Sequence, residues 1–193
     1  MMLERQGILL GKERCATLWA RPRLLVPAMR RRWRITGGRP RPFWPVDRDA
    51  VWCFDFVFDA CANPLQLKCL TVVEECTREY LAIDVAGSIR ANWVIEVLSR
   101  LVGLHGAPRC IRSDNSPEFV STALLKWAVE QKIETVFIDP GKPWQNGTNE
   151  SFNGNFREEC LAMEWFRNRI EAKIVIEDWQ NHYNDVRPYS SLQ

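Results

Sequence analysis

Apolar positions along this chain repeat with two periods, and the change from one to the other sketches the architecture. Val51 to Val57 (VWCFDFV), Gln66 to Val73 (QLKCLTVV) and Tyr80 to Val85 (YLAIDV) are compact apolar runs rich in β-branched and aromatic residues, as strands require. Asn63-Pro64 and Thr77-Arg78-Glu79 leave only short connections between them, which predicts an antiparallel meander. From Ile89 to Val102 the period lengthens. Trp93, Val94, Val97, Leu98, Leu101 and Val102 form a helical stripe that Gly103, Gly106 and Pro108 end. A short strand is expected at Arg109 to Arg112. A helix opening at Ser116-Pro117-Glu118 follows, with Phe119, Ala123, Leu124, Trp127 and Ala128 as its core face. Ile133 to Ile138 reads as a fifth strand, and the turn formers of Asp139 to Thr148 make a loop that carries Lys142.

Two more helices close the pattern. In the first, Phe152, Phe156, Cys160 and Met163 share an apolar face, and Glu150, Asn153 and Arg157 share the opposite one. In the last, Arg169 to Tyr183, the expected anchors are Ile170, Ile174, Trp179 and Tyr183. Three hairpin-joined strands followed by alternating helix and strand predict an α/β domain with a five-stranded sheet flanked by helices.

Three acids stand out against this pattern. Asp55 is the only acidic residue in an otherwise apolar strand, where a lone carboxylate is costly unless paired, protonated or bound to a metal. Asp114 falls just past the fourth strand, and Glu150, with 35 residues between them, near the start of a helix. Element ends of this kind converge on clefts. Three carboxylates there are expected to gather in one cleft and suit Mg²⁺ or Mn²⁺, which take hard oxygen ligands and keep positions open for phosphate and water.

Charge adds a partner. Residues 1–50 hold 12 Lys and Arg against 4 Asp and Glu, a balance of +8, whereas residues 51–193 hold 14 against 20, a balance of −6. A basic arm ahead of an acidic core fits nucleic acid, because phosphate contacts supply most non-specific affinity. Within the arm, residues 27–45 form an Arg- and Pro-rich linker in which Arg30, Arg31, Arg32 and Arg34 are set to track a phosphate backbone. Seven cysteines without a C-x-x-C pair favour buried reduced thiols over disulfides or zinc, and no apolar run approaches membrane-spanning length. The reading is of a cytoplasmic protein. No Gly-rich phosphate loop followed by Lys and Ser or Thr is present, which disfavours nucleotide hydrolysis. His182 and His105 lack a nucleophile partner and read as structural or surface residues.

The motifs carrying the acids resemble a known family. Asp55 in WxxDF, Asp114 in RSDNSPEF, Glu150 in PGKPWQNGTNESFNGNFREECL, and the closing YNDVRPYSSL together look like the Asp-Asp-Glu core of bacterial insertion-sequence transposases (the OrfB type), relatives of retroviral integrases. The resemblance covers roughly residues 46–192 and implies a ribonuclease-H-like mixed sheet for residues 46–193. Residues 1–26 resemble part of a helix-turn-helix segment. Also implied is metal-dependent DNA cleavage and strand transfer, with two Mg²⁺ or Mn²⁺ ions held by Asp55, Asp114 and Glu150. Lys142, Asn153 and Arg157 are the candidates for DNA phosphate contacts. Expected partners are transposon-end and target DNA, an upstream DNA-binding subunit and further copies of the chain, in a bacterial cytoplasm at the nucleoid. Ser116, where the family usually has Gly, the polar Thr148-Asn149 before Glu150, and Tyr189 in place of a customary His depart from the pattern. The alternatives are a catalytically silent remnant that at most binds DNA and a ribonuclease-H-like nuclease.

Overall fold

Strand β1 (Val51–Ala60) is the centre of the sheet, and its alternation decides what lies on either side. The computed structural model describes residues 47–62, 65–139, 145 and 147–186. The segments 1–26 and 27–45, with Arg30, Arg31, Arg32 and Arg34, lie outside the described residues, as do Lys142 and Tyr189. β2 (Gln66–Glu74) pairs antiparallel with β1, and β3 (Tyr80–Ala86) antiparallel with β2. β4 (Cys110–Ser113) adds to the other side of β1 in parallel, and β5 (Glu134–Phe137) continues in parallel to give the order β3-β2-β1-β4-β5. The five predicted strands are present, each within a few residues of its expected bounds.

Because side chains alternate along a strand, one face of β1 presents Trp52, Phe54 and Phe56. These pack with Leu70, Val72 and Ile111 beneath helix α1 (Ala91–His105) and helix α2 (Thr122–Glu130). α1 buries Val94, Val97, Leu98 and Leu101 as its stripe predicts, while Trp93 is on the exposed side. The other face presents Val57, Cys69, Val73 and Val85 to helix α3 (Gly147–Glu159) and helix α4 (Arg169–Val186). At the β3 edge, α4 stands in for a missing strand. The Gln180 amide accepts from the Ile83 N–H at 3.0 Å and donates to the Tyr80 carbonyl at 2.9 Å, and Asn184 bonds both backbone groups of Tyr80.

Three helix expectations fail for local reasons. α2 begins at Thr122, not at Ser116-Pro117-Glu118: Ser121 is the N-cap, its hydroxyl accepting from the Leu124 N–H. The earlier residues instead form a turn closed by the Phe119 N–H on the Ser116 carbonyl, so Ala123 falls on the exposed side. α3 ends at Glu159, and a short 3₁₀ turn, Leu161–Met163, shifts the phase. Leu161 is therefore buried where Met163 was expected and Met163 is 72% exposed. In α4 the inward residues are Ala172, Ile176 and Tyr183, with Ile170 and Ile174 exposed, because packing on β3 follows the amides of Gln180 and Asn184. The six described cysteines are free thiols, five of them buried.

Candidate active site

Asp55 shares a β1 face with Cys53 and Val57 and is half-buried under α3. Its Oδ1 accepts from the Phe56 N–H at 2.8 Å and its Oδ2 from the Asn153 amide at 2.9 Å. Thr71, opposite it on β2, places its hydroxyl 3.0 Å from the Asn153 side-chain oxygen and 3.2 Å from the Asp55 carbonyl. On the other side, the parallel register pairs Cys53 with Arg112. Two residues on from these stand Asp55, within β1, and Asp114, one residue past the end of β4. Asp114 is held by its own turn, Oδ1 accepting from the Ser116 N–H and Oδ2 from the Ser116 hydroxyl, both at 2.9 Å. The serine that departs from the family pattern thus orients this carboxylate.

Burial pushes the Asp55 carboxyl from its usual 3.8 up to about 6. The Phe56 N–H, the charge of Arg157 and the Asn153 amide oppose that rise, and the charge of Asp114 adds to it. Asp55 therefore gives up its proton reluctantly and gains from any cation brought beside it. Each carboxylate oxygen carries one of these hydrogen bonds and keeps a lone pair. As a donor set of hard, outward-available oxygens the pair fits Mg²⁺ or Mn²⁺.

Helix α3 brings the remaining residues. Glu150, Asn153 and Arg157 lie along one flank at i, i+3 and i+7. Asn153 and Arg157 both act on Asp55, so this flank borders the carboxylate pair. Glu150, however, is exposed in the first turn of α3, and among the described residues no three acidic, His or Cys side chains are grouped closely enough to hold an ion. Asp55 lies within reach of the Asp114 charge, and Glu150 lies on the α3 flank whose Asn153 reaches Asp55. Asn153 is not the solvent-facing phosphate contact expected of it. It is buried, with its amide nitrogen on Asp55 and its oxygen on Thr71, because two polar strand residues lie under the helix there. Arg157 remains exposed.

Further residues of the site were not anticipated from sequence. Glu75, directly after β2, is buried, and its Oε2 receives the Arg112 guanidinium at 2.6 Å. The same oxygen lies 3.6 Å from the Cys53 thiol, and Oε1 accepts the Thr148 hydroxyl at 2.9 Å. Burial, reinforced by the Glu75 charge, pushes the Cys53 thiol well above its usual range, so it stays protonated and able to donate. Arg112 did leave a signal: a lone cation in an apolar strand needs a buried partner just as Asp55 does. Glu75, inside the acidic turn Glu74-Glu75-Cys76-Thr77, looks like a solvated residue and left none.

A sheet of order β3-β2-β1-β4-β5 with helices on both faces, and with acids at neighbouring parallel strands, is the catalytic-core fold of integrases. The HTLV-2 integrase catalytic core domain, solved in complex with magnesium, superposes with a TM-score of 0.58 at 14% identity, over 77% of this chain and 94% of that one. The BIV integrase catalytic core domain gives 0.56 at 17% identity, over 73% and 87%. At such identities the likeness is one of fold. Sequence carries it to kinship: residues 131–193 and 46–143 each match the integrase core domain family, to which this chain belongs. It is 42% identical over 174 residues to an uncharacterized 39.2 kDa protein of insertion element IS476 from Xanthomonas euvesicatoria, covering 90% of this chain and 50% of the relative. To an uncharacterized 31.7 kDa protein of IS407 from Burkholderia multivorans it is 38% identical over 191 residues, 99% of this chain and 69% of the relative. The chain therefore spans half to about two thirds of these insertion-element relatives.

Proposed function

We propose that this chain is the catalytic core of a metal-dependent polynucleotidyl transferase that cuts DNA at the ends of an insertion element and joins the freed 3′ end to target DNA. The observation that carries this reading is Asp55 on the central strand of an integrase-type sheet, held up at about 6 by burial and within reach of the Asp114 charge. Asp55 and Asp114, joined by Glu150 from the α3 flank, would hold Mg²⁺ or Mn²⁺. The chemistry supplied by two such ions when bound is activation of the attacking oxygen and stabilisation of the leaving 3′ oxygen. The chain itself supplies orientation. Asn153 and the Phe56 N–H fix the plane of the Asp55 carboxylate, and Ser116 fixes that of Asp114. Arg157, exposed on the same flank, would receive a DNA phosphate, with Lys142 and the arginines 30, 31, 32 and 34 adding sequence-independent affinity.

DNA is thus the substrate and main partner, and the magnesium seen with the HTLV-2 integrase core supports a divalent ion here. That core is solved in dimeric and trimeric forms, which supports assembly of further copies on DNA, alongside an upstream DNA-binding subunit. Among the described residues no helix is long and apolar enough to cross a membrane, in keeping with action in the bacterial cytoplasm at the nucleoid. The test is Mn²⁺- or Mg²⁺-dependent nicking and joining of element-end DNA by the full chain. Asp114→Asn is expected to abolish it. A wild type as inactive as Asp114→Asn would leave a silent, DNA-binding remnant, and cleavage without strand joining would leave a ribonuclease-H-like nuclease.

A further inference from the structure

Glu75 lies outside the acid set, yet its carboxylate meets each of the three elements that carry that set. The contacts fall at one spacing. Cys53 is two residues before Asp55, Arg112 two before Asp114, and Thr148 two before Glu150. In strands, residues two apart share a face, so the grip of Glu75 on Cys53 fixes the face on which Asp55 emerges from β1, and its grip on Arg112 anchors the end of β4, one residue past which Asp114 begins its turn. In a helix two residues are about 200° apart. Thr148 therefore lies on one flank of the buried stripe Asn149, Phe152, Asn153 and Phe156, and Glu150 on the other. Holding Thr148 sets the roll of the first turn of α3 and with it the approach of Glu150.

We propose that Glu75 is the positioning residue of this site, a single buried carboxylate that holds β1, β4 and the first turn of α3 in mutual register. This rests on the metal-dependent reading above. A buried ion pair contributes little net stability compared with well-packed apolar residues, so the Glu75–Arg112 pair is better explained by direction than by strength. Glu75 receives donors from three elements at one end of the sheet, and an apolar residue could not fix all these angles.

Glu75→Gln is the direct variant, but it leaves Arg112 buried beside a neutral amide and is open to misfolding. Thr148→Val removes only the hydroxyl and keeps the shape. In the full chain, Thr148→Val is expected to lower kcat for Mn²⁺-dependent cleavage on the order of 10–100-fold, the loss that follows from misplacing a reacting group by about an ångström. KM for DNA should stay within about twofold, and the Mn²⁺ concentration for half-maximal rate should rise roughly tenfold. Thr148→Ser should restore both. Independently of activity, amide exchange at Ser151 and Phe152 should quicken several-fold in Thr148→Val while that of α1 is unchanged. An active wild type with Thr148→Val at parity in rate, metal dependence and exchange would overturn the positioning role alone. A wild type without metal-dependent cleavage would overturn the proposed function and the positioning role together.

Discussion

Replacing Asp55 with Asn separates the cost of this site from its chemistry. Raising a carboxyl from 3.8 to about 6 on folding corresponds to about 3 kcal/mol in favour of its protonated form. The sign follows from proton linkage: the folded chain holds this proton more tightly than the unfolded one. Its stabilising contribution is therefore complete below about pH 4 and is lost as pH rises through 6. At pH 8, without metal, ionised Asp55 leaves the fold about 3 kcal/mol less stable than a neutral group would. Asparagine has nearly the same shape, and the local hydrogen bonds can accommodate it. Its oxygen still accepts from the Phe56 N–H, and a flip of the Asn153 amide lets that oxygen take the new donor while its nitrogen turns to Thr71.

In EDTA, Asp55→Asn should therefore melt higher than wild type at pH 8, by roughly 5–10 °C for a chain of this size, and converge with it near pH 4. The difference between the two melting curves across pH 4–8 is the quantity to measure, since other carboxylates titrate in both proteins and cancel. Millimolar Mn²⁺ should raise the wild type and leave the variant unmoved. Two curves that run parallel across this range, or a variant that melts lower at pH 8, would refute the account of Asp55 as a strained, cation-seeking acid.

Other outcomes can be stated more briefly. Arg112→Met strands the Glu75 charge in the interior and should cost about 3–5 kcal/mol, seen as a fall in the urea midpoint, with part of the loss recovered by adding Glu75→Gln. Tyr80→Phe removes a hydroxyl donated to the Phe152 carbonyl at 2.5 Å, an anchor between β3 and α3; a loss of about 1–2 kcal/mol is expected in equilibrium denaturation. Ser121→Ala should cost about 1 kcal/mol by removing the α2 cap, whereas Ser116→Ala should instead lower activity through Asp114. Deleting residues 1–45 should flatten the salt dependence of DNA binding measured by fluorescence anisotropy, and an unchanged slope would exclude the basic arm as the phosphate-binding segment.

Much of this protein was legible from local pattern. The strands appear where apolar runs and short turns put them, because a strand buried on both faces needs a continuous apolar run and a hairpin leaves little freedom of register. Asp55 was conspicuous for the same reason: a single acid in such a run is explicable only by chemistry. Where the pattern misled, two local structures competed on equal terms. Ser116-Pro117-Glu118 is as good a turn as a helix start, and Asp114 decided between them by taking the Ser116 N–H and hydroxyl. The break at Cys160 reset the helical phase and turned Met163 outward.

Only the tertiary structure determined which polar residues lie inside. Asn153 was assigned to solvent because it is polar. It is buried because Asp55 and Thr71 beneath it offer partners that no helical period can reveal. Glu75 and Thr148 are 73 residues apart, and Glu75 and Arg112 are 37 apart. A hydrogen bond between such residues leaves no periodic trace in the chain, because it is set by how β2, β4 and α3 pack. Residue type and spacing determined which acids the chain could offer; the packing of those elements determined which polar partners each of them meets.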